Sequence, residues 1–130
     1  MKYLHTMIRI KNIEESLDFY CNKLGLIETR RTENEKGRYT LIFLSAENSD
    51  NNQALLELTY NWDQEEEYVK GNAWGHLALK VSDVYATSTY LKEKGVEFTK
   101  EPSPMKNGTR IIAFIKDPDG YVIELNEPLE

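Results

Sequence analysis

The chain contains two histidines, His5 and His76, and each opens a stretch of alternating character. In "LHTMIRI" (4–10), His5, Met7 and Arg9 alternate with Thr6, Ile8 and Ile10. In "AWGHLALKV" (73–81), His76, Ala78 and Lys80 alternate with Leu77, Leu79 and Val81. A period of two predicts strands whose aliphatic side packs on a core and whose histidine faces the other way. Two glutamates stand in the same relation to their neighbours. In "LLELTY", Glu57 shares a face with Leu55 and Thr59, against Leu56, Leu58 and Tyr60. In "YVIELN", Glu124 shares a face with Val122 and Asn126, against Ile123 and Leu125. On a sheet curved into a cup, two imidazoles and two carboxylates make a metal site of mixed N and O donors. Without thiolates, Cu(I) or a closed cysteine-type zinc site is poorly served. Octahedral Ni²⁺, Zn²⁺, Co²⁺ or Mn²⁺ with open water positions suits the set. A lone strand histidine is more often structural, and a lone mid-strand glutamate usually faces solvent. Four such residues at related positions, including every histidine in the chain, weigh towards a metal.

The positions are related because the chain repeats. His5 falls on His76, 71 residues further on, and Ile8, Ile10, Ile13 and Phe43 then fall on Leu79, Val81, Val84 and Phe114. Arg9 meets Lys80. Glu57 and Glu124 are 67 apart, the difference being a shorter loop, "DPDG" (117–120), in the second unit. Each unit opens strand, turn, helix. Asn12 is the expected N-cap of the first helix, with an inner stripe of Ile13, Leu17, Tyr20, Cys21 and Leu24. Ser82 or Asp83 caps the second, with Val84, Ser88 and Leu91 inside. Gly25 and Gly95 fit the positions where a left-handed residue closes a helix. Strands are expected at 26–32, 38–44 and 54–61, and at 96–100, 109–115 and 121–127. The segment 101–108, "EPSPMKNG", reads as a loop, and "DPDG" as a hairpin turn. The expected fold is α+β: two tandem βαβββ modules forming curved mixed sheets with helices packed on the outer face. The first module spans 1–62 and the second 73–130 of a single domain, joined by an acidic, solvated linker, 63–72.

At 130 residues, one domain with a real core is affordable. The net charge of −6 opposes binding to nucleic acid or an anionic membrane. No apolar run is long enough to span a bilayer, and the first residues lack the long apolar stretch of a secretory leader. The single cysteine, Cys21, cannot form an internal disulfide and reads as a buried, reduced thiol. A cytoplasmic protein is expected.

The stretches "LHTMIRI", "SLDFYCNKLGL", "LLELTYNW", "GHLALKV" and "IIAFIKDPDGYVIEL" together resemble glyoxalase I (lactoylglutathione lyase), of the vicinal-oxygen-chelate superfamily, over essentially the whole length. The resemblance implies His5, Glu57, His76 and Glu124 as metal ligands. It also implies a homodimer with metal sites at the subunit interface, where His5 and Glu57 of one chain meet His76 and Glu124 of the other. Spacing alone is equally compatible with a monomeric cup. The compact chain lacks the extra segments of longer, zinc-type members, which points to Ni²⁺, with Zn²⁺ or Co²⁺ as alternatives. By the same likeness Arg9, Asn61 and Lys106 contact glutathione, Lys106 from a mobile loop. Asn72 occupies the place of a glutathione-contacting arginine found in longer members. Trp62, Trp74, Phe43 and Phe114 are available to line an apolar pocket or to serve as core.

The implied reaction is detoxification of 2-oxoaldehydes. The hemithioacetal of methylglyoxal and glutathione is isomerised to S-lactoylglutathione through an enediolate. Glu124 is the first choice for the base that moves the proton, and Glu57 is a partner on the opposite stereochemical face. Two further readings compete. A metal-dependent thiol transferase or ring-cleaving dioxygenase of the same superfamily typically uses two histidines and one glutamate, so Glu57 as a fourth ligand favours the isomerase. A metal-free ligand-sequestering protein would have lost the ligands. A hydrolytic triad is poorly supported: no nucleophile-elbow motif occurs, and Cys21, on a helix stripe, is far in sequence from either histidine.

Overall fold

A computed structural model describes residues 1–46, 53–106 and 108–129. The chain divides into two compact units, Met1–Val69 and Lys70–Glu130. The first holds strand β1 (His5–Ile10), helix α1 (Ile13–Leu17) with a π-helical continuation (Asp18–Lys23), then β2 (Ile27–Asn34), β3 (Tyr39–Ser45) and β4 (Leu55–Asn61). The second holds β5 (Leu77–Lys80), α2 (Val84–Glu93), β6 (Glu97–Pro104), β7 (Arg110–Lys116) and β8 (Val122–Pro128). Each unit is therefore βαβββ. The two four-stranded sheets have the same order, β1-β4-β3-β2 and β5-β8-β7-β6. In each, the first strand pairs in parallel with the last, and the other pairings are antiparallel.

The repeat extends to the register. Met7 stands beside Glu57 and Ala78 beside Glu124. Across the antiparallel ladders Phe43 faces Glu57 and Phe114 faces Glu124. Alternation sends Ile8, Ile10, Ile42, Leu44 and Leu58 into the core of the first unit, and Ala113, Ile115, Ile123 and Leu125 into that of the second. Helix α2 buries Val84, Ser88 and Leu91, as its periodicity predicts, and packs on β6, β7 and β8. Both expected caps form: Asn12 Oδ1 accepts from Glu15 N at 2.9 Å and Asp83 Oδ1 from Ala86 N at 2.9 Å. Gly25 and Gly95 both take φ +82°, closing their helices as expected.

Several boundaries differ from expectation. The stretch 73–81 contributes a strand only over Leu77–Lys80, because 71–73 form a turn with Gly71 at φ +66°. His76 thus sits just before its strand. Leu77 and Leu79 are half-buried, unlike the fully buried Ile8 and Ile10 of the first unit. The loop expected at 101–108 begins as strand: β6 runs on to Pro104. It is an edge strand with two register shifts, and an edge tolerates the missing N–H of Pro102 and Pro104. The first helix widens into π-helical turns after Leu17, with Leu24 N bonded to Phe19 O at 3.0 Å. The buried residues are then Ser16, Phe19 and Tyr20, and Cys21 is only half-buried. Burial, followed by the nearby Glu28 charge, pushes the Cys21 thiol up from its ordinary range. The acidic segment expected as a solvated linker makes exposed contacts with the first unit: Arg38 clasps Asp63 at 2.6 and 3.0 Å, and Lys11 Nζ reaches Glu65 O at 2.6 Å.

Candidate metal centre

In the first unit, His5 Nε2 lies 3.0 Å from Glu57 Oε1. In the second, His76 Nε2 lies 3.2 Å from Glu124 Oε2. Parallel pairing of the first strand with the last brings each histidine beside its glutamate, and period-two alternation puts both on the face away from the aliphatic core. The carboxylates are largely covered and the imidazoles are partly open, with side-chain exposures of 38% for His5 against 10% for Glu57, and 42% for His76 against 14% for Glu124. A His–Glu pair of this kind is anchored on its carboxylate side and reachable on its imidazole side.

Each pair is held by neighbours that also repeat. The second oxygen of Glu57 accepts from Thr59 Oγ1 at 3.1 Å, and that of Glu124 accepts from Asn126 Nδ2 at 2.5 Å. Each imidazole meets a phenylalanine edge-on: His5 on Phe43 with ring centres 5.6 Å apart, His76 on Phe114 at 5.2 Å. Every unit thus has a His–Glu pair, a donor two residues beyond the glutamate, and an aromatic ring against the histidine. The sequence places Thr59 and Asn126 on the glutamate faces but gives them no role, since their identities differ. The 67-residue offset, applied to side chains that share a face, is the signal that finds them.

The donor set fits a borderline divalent cation. Two ligands at right angles about an ion roughly 2.1 Å from each are about 3 Å apart, close to the observed His–Glu separations. Each unit presents one such His–Glu pair. Among the described residues no group of three or more His, Cys, Asp and Glu side chains forms.

The expected substrate contacts are more dispersed. Arg9 is exposed on β1 beside Thr59. Asn61, at the end of β4, donates from Nδ2 to Tyr68 Oη at 2.9 Å. Lys106 is exposed in the turn after β6. Phe43 is 4% exposed and carries the Arg30 guanidinium 4.0 Å above its ring, while Phe114 is half-buried. Trp62 Nε1 donates to Thr40 Oγ1 at 2.8 Å, and Trp74 packs edge-on against Tyr121. Both tryptophans therefore brace their own unit.

The pattern of the Glyoxalase/Bleomycin resistance protein/Dioxygenase superfamily matches residues 2–125. The chain is 48% identical over 124 residues to the lactoylglutathione lyase of Neisseria meningitidis serogroup A, covering 95% of this chain and 88% of the relative. It is 46% identical over 125 residues to the probable lactoylglutathione lyase of Synechocystis sp., covering 96% and 94%. Among solved structures it is similar to glyoxalase I of Zea mays, with TM-score 0.88 and 34% identity over 98% of this chain, although it spans only 47% of the maize chain. It is also similar to the trypanothione-dependent glyoxalase I of Leishmania major, with TM-score 0.85 and 35% identity over 98% of this chain and 86% of that one. With a paired His–Glu in each repeat and these likenesses over nearly its full length, the chain belongs to the glyoxalase/bleomycin resistance protein/dioxygenase superfamily, among its glyoxalase I members.

Proposed function

We propose that this chain isomerises the hemithioacetal of methylglyoxal and glutathione to S-lactoylglutathione, using a divalent cation held by His5, Glu57, His76 and Glu124. One observation carries the reading: both repeats present a His–Glu pair of the same construction, in a chain 42–48% identical to several lactoylglutathione lyases. When bound, the cation supplies Lewis-acid stabilisation of the substrate oxygen on which negative charge develops. Glu124 takes the proton from the carbon bearing sulfur and returns it to the neighbouring carbon, and Glu57 serves the opposite stereochemical face. Arg9 and Lys106 pair with carboxylates of the thiol substrate, and Asn61 exchanges its bond to Tyr68 for one to the peptide.

The cation is Ni²⁺ in this reading, on the likeness to compact members of the family. Two copies of the chain share each centre, His5 and Glu57 from one and His76 and Glu124 from the other. A half-site of two protein ligands is otherwise short of the number such ions take. The thiol is glutathione, held without the arginine that longer members carry at the position of Asn72. The chain works in the cytoplasm, in keeping with its single unpaired cysteine. Glu57 argues against the thiol-transferase and dioxygenase alternatives, which take one glutamate.

The test is isomerase activity of chelator-stripped protein on the methylglyoxal–glutathione hemithioacetal, titrated with Ni²⁺ and Zn²⁺ in parallel. Activity restored by Ni²⁺ alone is the expected result. Restoration by Zn²⁺ keeps the reaction and overturns the metal. Stoichiometric binding with no turnover moves the site to the thiol-transferase reading.

A further inference from the structure

We propose that Arg110 and Asn126 form a positioning chain for Glu124, in which Arg110 sets the direction of the Asn126 amide and Asn126 sets the carboxylate. The inference rests on the reading of Glu124 as a metal ligand. Arg110 Nη1 donates to Asn126 Oδ1 at 2.8 Å, and Asn126 Nδ2 donates to Glu124 Oε1 at 2.5 Å. His76 Nε2 lies 3.2 Å from the other oxygen of the same carboxylate. Arg110 is opposite Pro128 on the β7–β8 ladder, diagonal to Asn126, a spacing that a long side chain reaches across.

Chemistry leaves only one orientation for the middle group. A guanidinium only donates and a carboxylate only accepts, whereas a primary amide has a donating end and an accepting end. Turned over, Asn126 would set oxygen against carboxylate and N–H against guanidinium. Arg110 therefore removes the ambiguity an asparagine would otherwise carry at that position. One oxygen of Glu124 is pinned, and the other is presented on the side of His76.

The first unit is the internal control. Its counterpart of Asn126 is Thr59, and its counterpart of Arg110 is Tyr39. Thr59 donates to Glu57 through a hydroxyl, which turns freely to suit its partner and needs nothing to orient it. In the second unit Arg110 orients the donor to the glutamate, and the glutamate so fixed is the one assigned the proton transfer. Partners behind a ligand are what hold it ready before an ion arrives.

The test uses the full chain, stripped of metal. It measures Ni²⁺ binding by calorimetry, the visible spectrum of the Co²⁺-loaded protein, and kcat and KM separately. Asn126→Leu is expected to weaken Ni²⁺ binding about tenfold, shift the Co²⁺ bands and lower kcat with KM nearly unchanged. Asn126→Thr, which copies the first unit, recovers most of the loss. Arg110→Leu shares the defect and Arg110→Lys, which keeps a donor, does not. Asn126→Leu or Arg110→Leu binding Ni²⁺ within about twofold of wild type, with an unchanged Co²⁺ spectrum, overturns the proposal. So does Asn126→Thr behaving like Asn126→Leu. A wild-type protein that binds no divalent ion removes the metal reading itself and this inference with it. Binding by wild type and Asn126→Leu alike removes the inference alone.

Discussion

At the scale of single residues, the two phenylalanines against the histidines do different amounts of the same work. Phe43 is buried, faces Glu57 across the ladder, touches His5 and lies under Arg30. Phe114 faces Glu124 and touches His76 but is only half-buried. Replacing either with leucine keeps apolar bulk and removes the ring edge that limits the imidazole. Phe43→Leu is expected to cost about 1–2 kcal/mol in urea denaturation, and Phe114→Leu less than about 1 kcal/mol. Both should weaken Ni²⁺ binding several-fold, about equally, because each histidine loses its stop. A Phe114→Leu protein with undiminished affinity would make the ring contact mere packing. The pairing of each histidine with a glutamate was legible in the sequence because identity and face repeat at related offsets. Their supports were harder to read, since Thr59 and Asn126 differ in identity and Arg110 answers to Tyr39.

At the scale of elements, what was legible followed from local chemistry. Caps, closing glycines, strand alternation and the strand–helix order could all be read, because each depends on a few neighbouring residues. The misjudged boundaries depend on distant partners. Pro102 and Pro104 look like loop residues until β6 is known to lie at a sheet edge. The π-helical widening that buries Phe19 follows no 3.6-residue pattern. The two units also share an irregularity that no local pattern signals: β2 shifts register between Glu28 and Arg30, and β6 between Phe98 and Lys100, placing a basic residue opposite each of the two phenylalanines. Such a bulge re-aims a side chain without altering composition. The "DPDG" turn was legible and its energetics are specific. Asp117 is buried, and its Oδ1 accepts from Asp119 N at 2.9 Å and Tyr121 N at 2.8 Å, while Gly120 sits at φ +89°. Asp117→Ala strands two backbone donors and is expected to cost about 2 kcal/mol, read as a lower urea midpoint with an unchanged m-value. An unchanged midpoint would mean that water or other groups satisfy those donors.

At the scale of the whole molecule, the proposed sharing of each centre between two copies has a direct test. Each unit offers one His–Glu pair, and the sequence is neutral between closure within one chain and closure between two. Mixing two inactive variants separates these cases. One carries His5→Ala and Glu57→Ala, the other His76→Ala and Glu124→Ala. If each centre takes one half from each of two chains, the mixed dimer has one centre with all four ligands and one with none. Random reassortment makes half of the dimers mixed, so about a quarter of wild-type activity returns on mixing with Ni²⁺. If a single chain closes its own centre, every chain in the mixture lacks two ligands and nothing returns. Each variant leaves the aliphatic core of its unit intact, so both should fold, and circular dichroism of each alone establishes that before they are mixed. Recovery near a quarter would locate the centre between subunits. Absence of recovery from folded, exchanging chains would place all four ligands in one copy and overturn the shared-site dimer.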